Sequence, residues 1–300
     1  MHLSPRRSAG STAVRYLSCL RPLEILILQG SPLLGAAFAF PHFGAELVRP
    51  LALLIATSIC LVAYVFLIND WSGLTSDLTN PNRAASVFTN RGVSRKEMAG
   101  LALLMLALSL LLSGGLGTIA LALTLAVASL GTVYSLPRFG WKGKPILNSA
   151  AHLAGGAFHF LLGYSVGSSI DSRGLSLAIY FAVTFAAGHL IQEIRDHEAD
   201  ARHAIRTNAV IFGTRRTFLA SLVLFTVSHS LLFFLALRGI VPRALALLVV
   251  LYPLQLFWSI TALTDGLTYA SICRLQMRYR ALYAFVGLAM MAALYGTAVK

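Results

Sequence analysis

Acidic residues are scarce in this 300-residue chain, eleven in all, and six of them crowd into two stretches. "NDWSGLTSDLTNPNR" (69–83) carries Asp70 and Asp77, and "QEIRDHEADARHAIR" (192–206) carries Glu193, Asp196, Glu198 and Asp200. Each ends on an arginine six positions after its last aspartate, Arg83 and Arg206. On a helix, Asp70 and Asp77 fall within about 20° of one face. Glu193, Asp196 and Asp200 follow i, i+3, i+7 spacing and share a face too. Two bare carboxylates about 5 Å apart repel by roughly 3 kcal/mol at an effective dielectric near 20, so such groups need cations. Two readings compete. Arg83, Arg195, Arg202 and Arg206 neutralise the acids as interfacial salt bridges, or the carboxylates hold Mg²⁺ together with substrate phosphates. The second is preferred, because ionisable residues at membrane depth default to function.

A third stretch, "YSLPRFGWKGKP" (134–145), sets Tyr134, Arg138, Lys142 and Lys144 in a basic loop. These cations either clamp diphosphate oxygens or are topological charges behind an aromatic belt residue. Beside two acid clusters the clamp is favoured.

The elements that must carry these groups are membrane helices. The chain is 57% hydrophobic and only 12% charged, about half the charged share of a soluble domain. Apolar runs of roughly twenty residues recur, the length that crosses a bilayer core as helix. The pattern predicts an all-α polytopic membrane protein with about nine spans. They centre near 23–42, 47–69, 98–113, 117–135, 146–167, 175–194, 217–237, 243–263 and 281–299. The third looks short, and Gly114–Gly115 suggests a tight turn after it. No cleavable signal is evident, and Cys19, Cys60 and Cys273 match no metal or disulfide framework.

A net charge of +13 first suggests nucleic acid. Its distribution excludes that reading. Of the 24 Lys and Arg, 19 lie before the first span or in the connections after the second, fourth, sixth and eighth. Arg49, Arg173, Arg238, Arg243 and Lys300 lie on the other side. This asymmetry puts the N-terminus in the cytoplasm and the C-terminus outside, with anionic lipid headgroups as secondary partners. Both acid stretches then open long cytoplasmic connections, roughly 70–97 and 195–216. The histidines His152, His159 and His189 read as helix–helix contacts rather than as a pocket lining, and Asp265 as a cap.

At this point the residues carry a resemblance. The arrangement resembles the UbiA-type intramembrane prenyltransferases, with nine transmembrane helices and two aspartate-rich motifs. Their first motif, N-D-x-x-D-x-x-x-D, is matched by Asn69, Asp70 and Asp77. The second, D-x-x-D-x-x-x-D, is matched by Asp196 and Asp200, with Glu193 for the leading Asp. "YSLPRFGWK" is similar to a Tyr-Ser-x-Pro signature with a downstream Lys, and Arg21–Pro22 and "IRTNAVIFG" also fit.

The resemblance implies one domain over 1–300, with 1–20 a basic cytoplasmic segment and a central cavity open to the cytoplasmic side. It implies an integral protein of a bacterial inner membrane, with the active site on the cytoplasmic side. It also implies a Mg²⁺-dependent reaction in which Asp70, Asp77, Asp196 and Asp200 carry catalysis. Asn69, Asp70, Asp77, Glu193, Asp196 and Asp200 would be the metal ligands. Arg21, Arg83, Tyr134, Arg138, Lys142, Lys144 and Arg206 would bind substrate. The partners would be a prenyl diphosphate, whose allylic C–O bond ionises, and an aromatic or other lipophilic acceptor that is alkylated. The two acid clusters would be halves of one diphosphate site, and the shared D-x₅-R spacing hints at an internal duplication.

The pattern departs in three places. Gly73 stands where the first motif's middle Asp usually sits, Ala84 replaces the usual Pro after Arg83, and Glu193 is one methylene longer than Asp. Gly73 supports an alternative, a divergent member that binds or transports isoprenoid lipids without catalysis. A CDP-alcohol phosphotransferase is set aside because its D-G-x-x-A-R signature is absent.

Overall fold

A computed structural model describes residues 12–40, 42 and 44–296. Arg6, Arg7 and Lys300, counted in the charge asymmetry, and the end of the expected last span lie outside the described residues. All regular structure among the described residues is helical. In chain order the α-helices are α1 (Thr12–Leu17), α2 (Pro22–Leu28), α3 (Gly30–Ala39), α4 (Val48–Ser72), α5 (Leu74–Thr79), α6 (Arg95–Gly114) and α7 (Thr118–Ser135). They continue with α8 (Leu147–Tyr164), α9 (Ser172–Arg202), α10 (Asn208–Phe212), α11 (Thr214–Leu237), α12 (Tyr252–Thr264) and α13 (Tyr269–Tyr295). Seven helical segments among the described residues are long and apolar enough to cross a membrane. Helices α8 and α13, at the expected fifth and ninth positions, have 18 and 27 residues but are not among those seven.

Two expected single helices are divided, each at a proline. Pro32 lies in the first turn of α3. Its ring cannot follow a continuous α-helix, because it lacks an N–H and clashes with the carbonyl four residues back. The expected first span therefore splits into α2 and α3. Pro253 opens α12 in the same way, and Arg243–Leu251 ahead of it winds as a 3₁₀ helix. The third span is not short. Ser94 accepts from the Glu97 N–H while the Glu97 carboxylate accepts from the Ser94 N–H, a reciprocal cap that starts α6 at Arg95. Its 20 residues rise about 30 Å, and it ends at Gly114 as the glycine pair suggested.

The chain divides into two compact units. One comprises the chain up to Gln29 together with Ala52–Trp141, and the other Gly30–Leu51 together with Lys142 onward. In the first, α6 packs on α7, and Tyr64 of α4 shares a hydrogen bond with Thr132 of α7 at 2.6 Å. Buried Ile25, Val62 and Ala63 anchor its apolar core. In the second, α9 is the central element, contacting α8, α11 and α13. Ile191, Phe218, Phe225, Ile272 and Tyr279 form the core there.

Close approach of α3 and α8 depends on glycine. A Cβ on Gly163 would lie 1.8 Å from the Pro32 carbonyl oxygen, and one on Gly35 would lie 2.2 Å from that of Phe160. Small residues at such crossings are how membrane helices gain packing where lipid offers no hydrophobic drive. His152 and His189 stack across α8 and α9, ring centroids 3.5 Å apart, which fits their reading as a helix–helix contact. Asp265 caps the end of α12 and pairs with Arg274 at 2.9 Å. Helix α9 has 31 residues, about 46 Å of helix against a hydrocarbon core of about 30 Å. Its last turns, which bear the second acid motif, therefore have the length to leave the apolar layer.

Candidate active site

In the first unit the acids of the first motif are met by two guanidiniums. Arg21 Nε donates to Asp70 Oδ2 at 3.1 Å, and its Nη2 donates to Oδ1, a two-pronged pairing. Arg83 Nη1 donates to Asp77 Oδ1 at 3.1 Å, and its Nη2 lies 3.8 Å from Asp70 Oδ1. The four side chains are 14–26% exposed, sheltered enough for the pairs to outweigh an ordinary surface bridge. Arg21 reaches Asp70 from a left-handed backbone, φ 48, immediately before Pro22 opens α2. Such a conformation is uncommon for arginine and costs about 1 kcal/mol or more.

The seven-residue spacing survives a local break. Helix α4 ends at Ser72 and α5 starts at Leu74. The Gly73 N–H still bonds the Asn69 carbonyl at 2.8 Å, and the Asp77 N–H bonds the Gly73 carbonyl at 2.9 Å. Asp70 and Asp77 thus reach the same guanidinium. A Cβ on Gly73 would lie 3.7 Å from Asp77 Oδ2 and 3.1 Å from the Asn69 carbonyl oxygen. The position therefore opens beside Asp77. Asn69 sits one residue before Asp70 in the last turn of α4. Tyr134 is half-buried in the last turn of α7, with exposed Arg138 just beyond it.

In the second unit the C-terminal turns of α9 carry the other acids. Asp196 takes both prongs of Arg195, at 2.9 and 2.8 Å, and Arg195 Nη1 donates to Gln276 of α13 at 3.0 Å. Asp200, 6% exposed, has Lys142 Nζ 3.8 Å from Oδ1. The loop cation thus reaches the second motif. Lys144 and Arg206 are exposed. Among the described residues neither they nor Arg138 form an ion pair. Glu198 pairs with Arg202 at 3.2 Å on the exposed side. Glu193 is different: it is 4% exposed and surrounded by amides. Asn148 and Asn208 donate to Oε1 at 2.5 and 3.1 Å, and the Ala209 N–H donates to Oε2 at 3.3 Å.

The donor set can be weighed against Mg²⁺. Among the described residues no three His, Cys, Asp or Glu side chains gather as a metal cage. Each motif offers two aspartates with oxygen donors. Mg²⁺ binds through one or two carboxylates plus phosphates and waters rather than in an all-protein cage, so Asp70 with Asp77, and Asp196 with Asp200, fit an ion that arrives with a diphosphate.

Several participants have weak sequence signals. Arg21 lies 49 residues before Asp70, and Asn148, Asn208 and Gln276 are single polar residues at ends or faces of apolar helices. Asn148 and Gln276 leave no mark beyond an amide in or beside an apolar run, while Arg21 and Asn208 show only through the family signatures.

The fold has close counterparts among solved structures. A UbiA homolog from Archaeoglobus fulgidus bound to GPP and Mg²⁺ is similar at TM-score 0.73 and 18% identity, over 93% of this chain and 99% of that one. A UbiA homolog from Aeropyrum pernix K1 is similar at TM-score 0.70 and 16% identity, over 90% and 99%. A digeranylgeranylglyceryl phosphate synthase structure follows at 0.69 and 16%, over 95% and 99%. Nothing among curated proteins matches the chain. These likenesses speak for the fold, and the sequence itself supplies the family: the model of the UbiA prenyltransferase family matches residues 30–271, and the chain belongs to that family.

Proposed function

We propose that this integral membrane protein transfers the prenyl group of a prenyl diphosphate to an aromatic or other lipophilic acceptor, with Mg²⁺ as cofactor. The observation that carries the reading is the pairing of cations with motif aspartates at helix ends in a chain otherwise poor in charge. Family membership supplies the reaction class, and structures of relatives bound to GPP or DMAPP with Mg²⁺ support the substrate class.

In this reading Asp70, Asp77, Asp196 and Asp200 hold the metal, with Asn69 assisting. When bound, Mg²⁺ supplies Lewis-acid neutralisation of the diphosphate. Arg83 and Lys142 face the aspartates' charge before substrate arrives. They then turn toward the diphosphate oxygens, so that positive charge already stands where negative charge develops as the allylic C–O bond ionises. Arg21 holds Asp70 in place, and Tyr134, Arg138, Lys144 and Arg206 extend the basic rim. The prenyl tail lies among apolar helices, each buried CH₂ contributing about 0.8 kcal/mol. The charge asymmetry supports a site on the cytoplasmic side of the membrane.

Purified protein in detergent, given Mg²⁺, a panel of prenyl diphosphates and candidate aromatic acceptors, should release diphosphate and form prenylated product. Asp196→Ala and Asp200→Ala should each lower turnover by at least a hundredfold while leaving the protein folded in the membrane. Wild-type activity in either variant would make the second motif structural. Gly73 favours one other reading, isoprenoid binding without transfer. Saturable binding of a prenyl diphosphate with no product from any acceptor would select it.

A further inference from the structure

Five of the six acids in the two motif stretches meet an arginine or lysine: Asp70, Asp77, Asp196, Glu198 and Asp200. Glu193 meets none among the described residues. Its carboxylate has about four lone-pair sites, and three N–H donors occupy three of them, two on Oε1 and one on Oε2. Asn148 Nδ2, Asn208 Nδ2 and the Ala209 N–H donate to it, and His189 Nε2 lies 3.0 Å from Oε1. A Mg²⁺ ligand must offer an oxygen at about 2.0–2.1 Å and accommodate the ion's waters. Glu193 has Oε1 shared among three nitrogens, and at 4% exposure its freer oxygen, Oε2, is buried away from the waters such an ion carries.

The same amides reach outward to the loops that carry the cations. Asn148 Nδ2 also donates to the Lys142 carbonyl at 3.2 Å. Asn208 Nδ2 donates to Asn148 Oδ1 at 2.8 Å and to Ser149 Oγ at 2.9 Å. Asn208 Oδ1 accepts the Ile146 N–H at 2.8 Å. That bond secures a residue at φ 67, where a β-branched side chain is rarely found. Through two asparagines, then, one buried carboxylate ties the 142–149 segment and the start of α10 to the middle of α9. Lys142 is brought to Asp200 by that tie.

We propose that Glu193, although it occupies the leading acid position of the second motif, is not a metal ligand but a positioning residue. It braces the 142–149 segment and the 207–209 turn on α9 and so sets Lys142 beside Asp200. The substrate side of this inference rests on the transferase reading above, whereas the brace itself does not.

The test compares Glu193→Gln, Glu193→Ala and Asn208→Ala with Asp196→Asn in the full chain. Limited trypsin digestion reads the loop at Arg138, Lys142 and Arg206, since Pro145 blocks cleavage after Lys144. Turnover and thermal stability are titrated with Mg²⁺, the latter in the presence of inorganic diphosphate. Glu193→Ala and Asn208→Ala should speed cleavage at Lys142 about tenfold and raise the KM for prenyl diphosphate by a similar factor. Both should leave the half-saturating Mg²⁺ within twofold of wild type. Glu193→Gln keeps an acceptor oxygen for both asparagines and should rescue most of the loop protection, again with an unchanged Mg²⁺ requirement. Asp196→Asn should raise that requirement at least tenfold with the loop still protected. If Glu193→Gln instead behaved like Asp196→Asn, the residue would be a ligand and the brace would be wrong. Unchanged cleavage in both Glu193→Ala and Asn208→Ala would overturn it equally. Should wild type show no turnover, the transferase reading fails, while loop protection and the Mg²⁺–diphosphate melting shift still decide the role of Glu193.

Discussion

Asp70 and Asp77 can sit one helical stretch apart near the end of an apolar helix because Arg83 reaches both and Arg21 holds the first. The arginines thus answer a repulsion that, in the transferase reading, Mg²⁺ would answer once substrate binds. Gly73 tests this at a single position. Its Cβ vector points toward Asp77 Oδ2 at 3.7 Å, so Gly73→Asp adds a third acid to the pair. Without metal the variant should melt at lower temperature through repulsion. With metal it should need less Mg²⁺ for half-maximal activity, by about three- to tenfold. Lower stability with no change in the Mg²⁺ requirement would show that position 73 faces no ion. Lys142→Ala removes the cation 3.8 Å from buried Asp200. It should raise the KM for prenyl diphosphate about tenfold, near 1.4 kcal/mol, and leave that for the acceptor unchanged. Equal effects on both substrates would return Lys142 to a topological role. The motif aspartates were legible in the sequence because carboxylates are so rare here that their spacing stands out. Arg83, Arg195 and Arg202 were legible as partners from their nearness in sequence, whereas the pairing of Arg21 with Asp70 across 49 residues and the isolated asparagines have no period to betray them.

At the scale of elements, helix existence was legible from apolar run length and the end of α6 from Gly114–Gly115, whereas its start at the Ser94–Glu97 cap was not read from the sequence. The interruptions at Pro32 and Pro253 were missed because a hydropathy window averages over a residue that acts through its absent N–H. Glycine function was only half legible. The two glycines of "AHLAGGAF" (151–158) look alike in sequence yet differ: a Cβ on Gly156 would meet Phe185 Cβ at 2.8 Å, while one on Gly155 would meet nothing within 4 Å. Gly155→Ala should therefore stabilise α8 by about 0.5–1 kcal/mol, the helix preference of alanine over glycine. Gly163→Ala, which drives a methyl into the Pro32 carbonyl, should lower the melting temperature by several degrees by prying α3 from α8. Thermal melts of both variants in one detergent check the contrast. Similar shifts for the two would mean that the crossing tolerates a wider spacing.

For the whole molecule, the asymmetry of 19 against 5 cations fixes an expected orientation. A reporter inserted near exposed Asn90 should read cytoplasmic, and one fused after Lys300 should read external. The reverse pattern would move both acid motifs to the other side of the membrane.

The α3–α8 crossing has a further consequence, one of timing. The ribosome delivers Gly35 some 125 residues before Phe160, whose carbonyl it touches. At about 5–20 residues per second, α3 waits roughly 6–25 seconds in the insertion machinery with its small-residue face uncovered. The Arg21–Asp70–Arg83 group, by contrast, has all its members by residue 83. A nascent chain arrested near residue 140 should already have the first motif's ion pairs available, yet still present an unclaimed helical groove to lipid, to an insertase or to a wrong neighbour. Misassembly of this protein during biogenesis is thus expected to begin at α3.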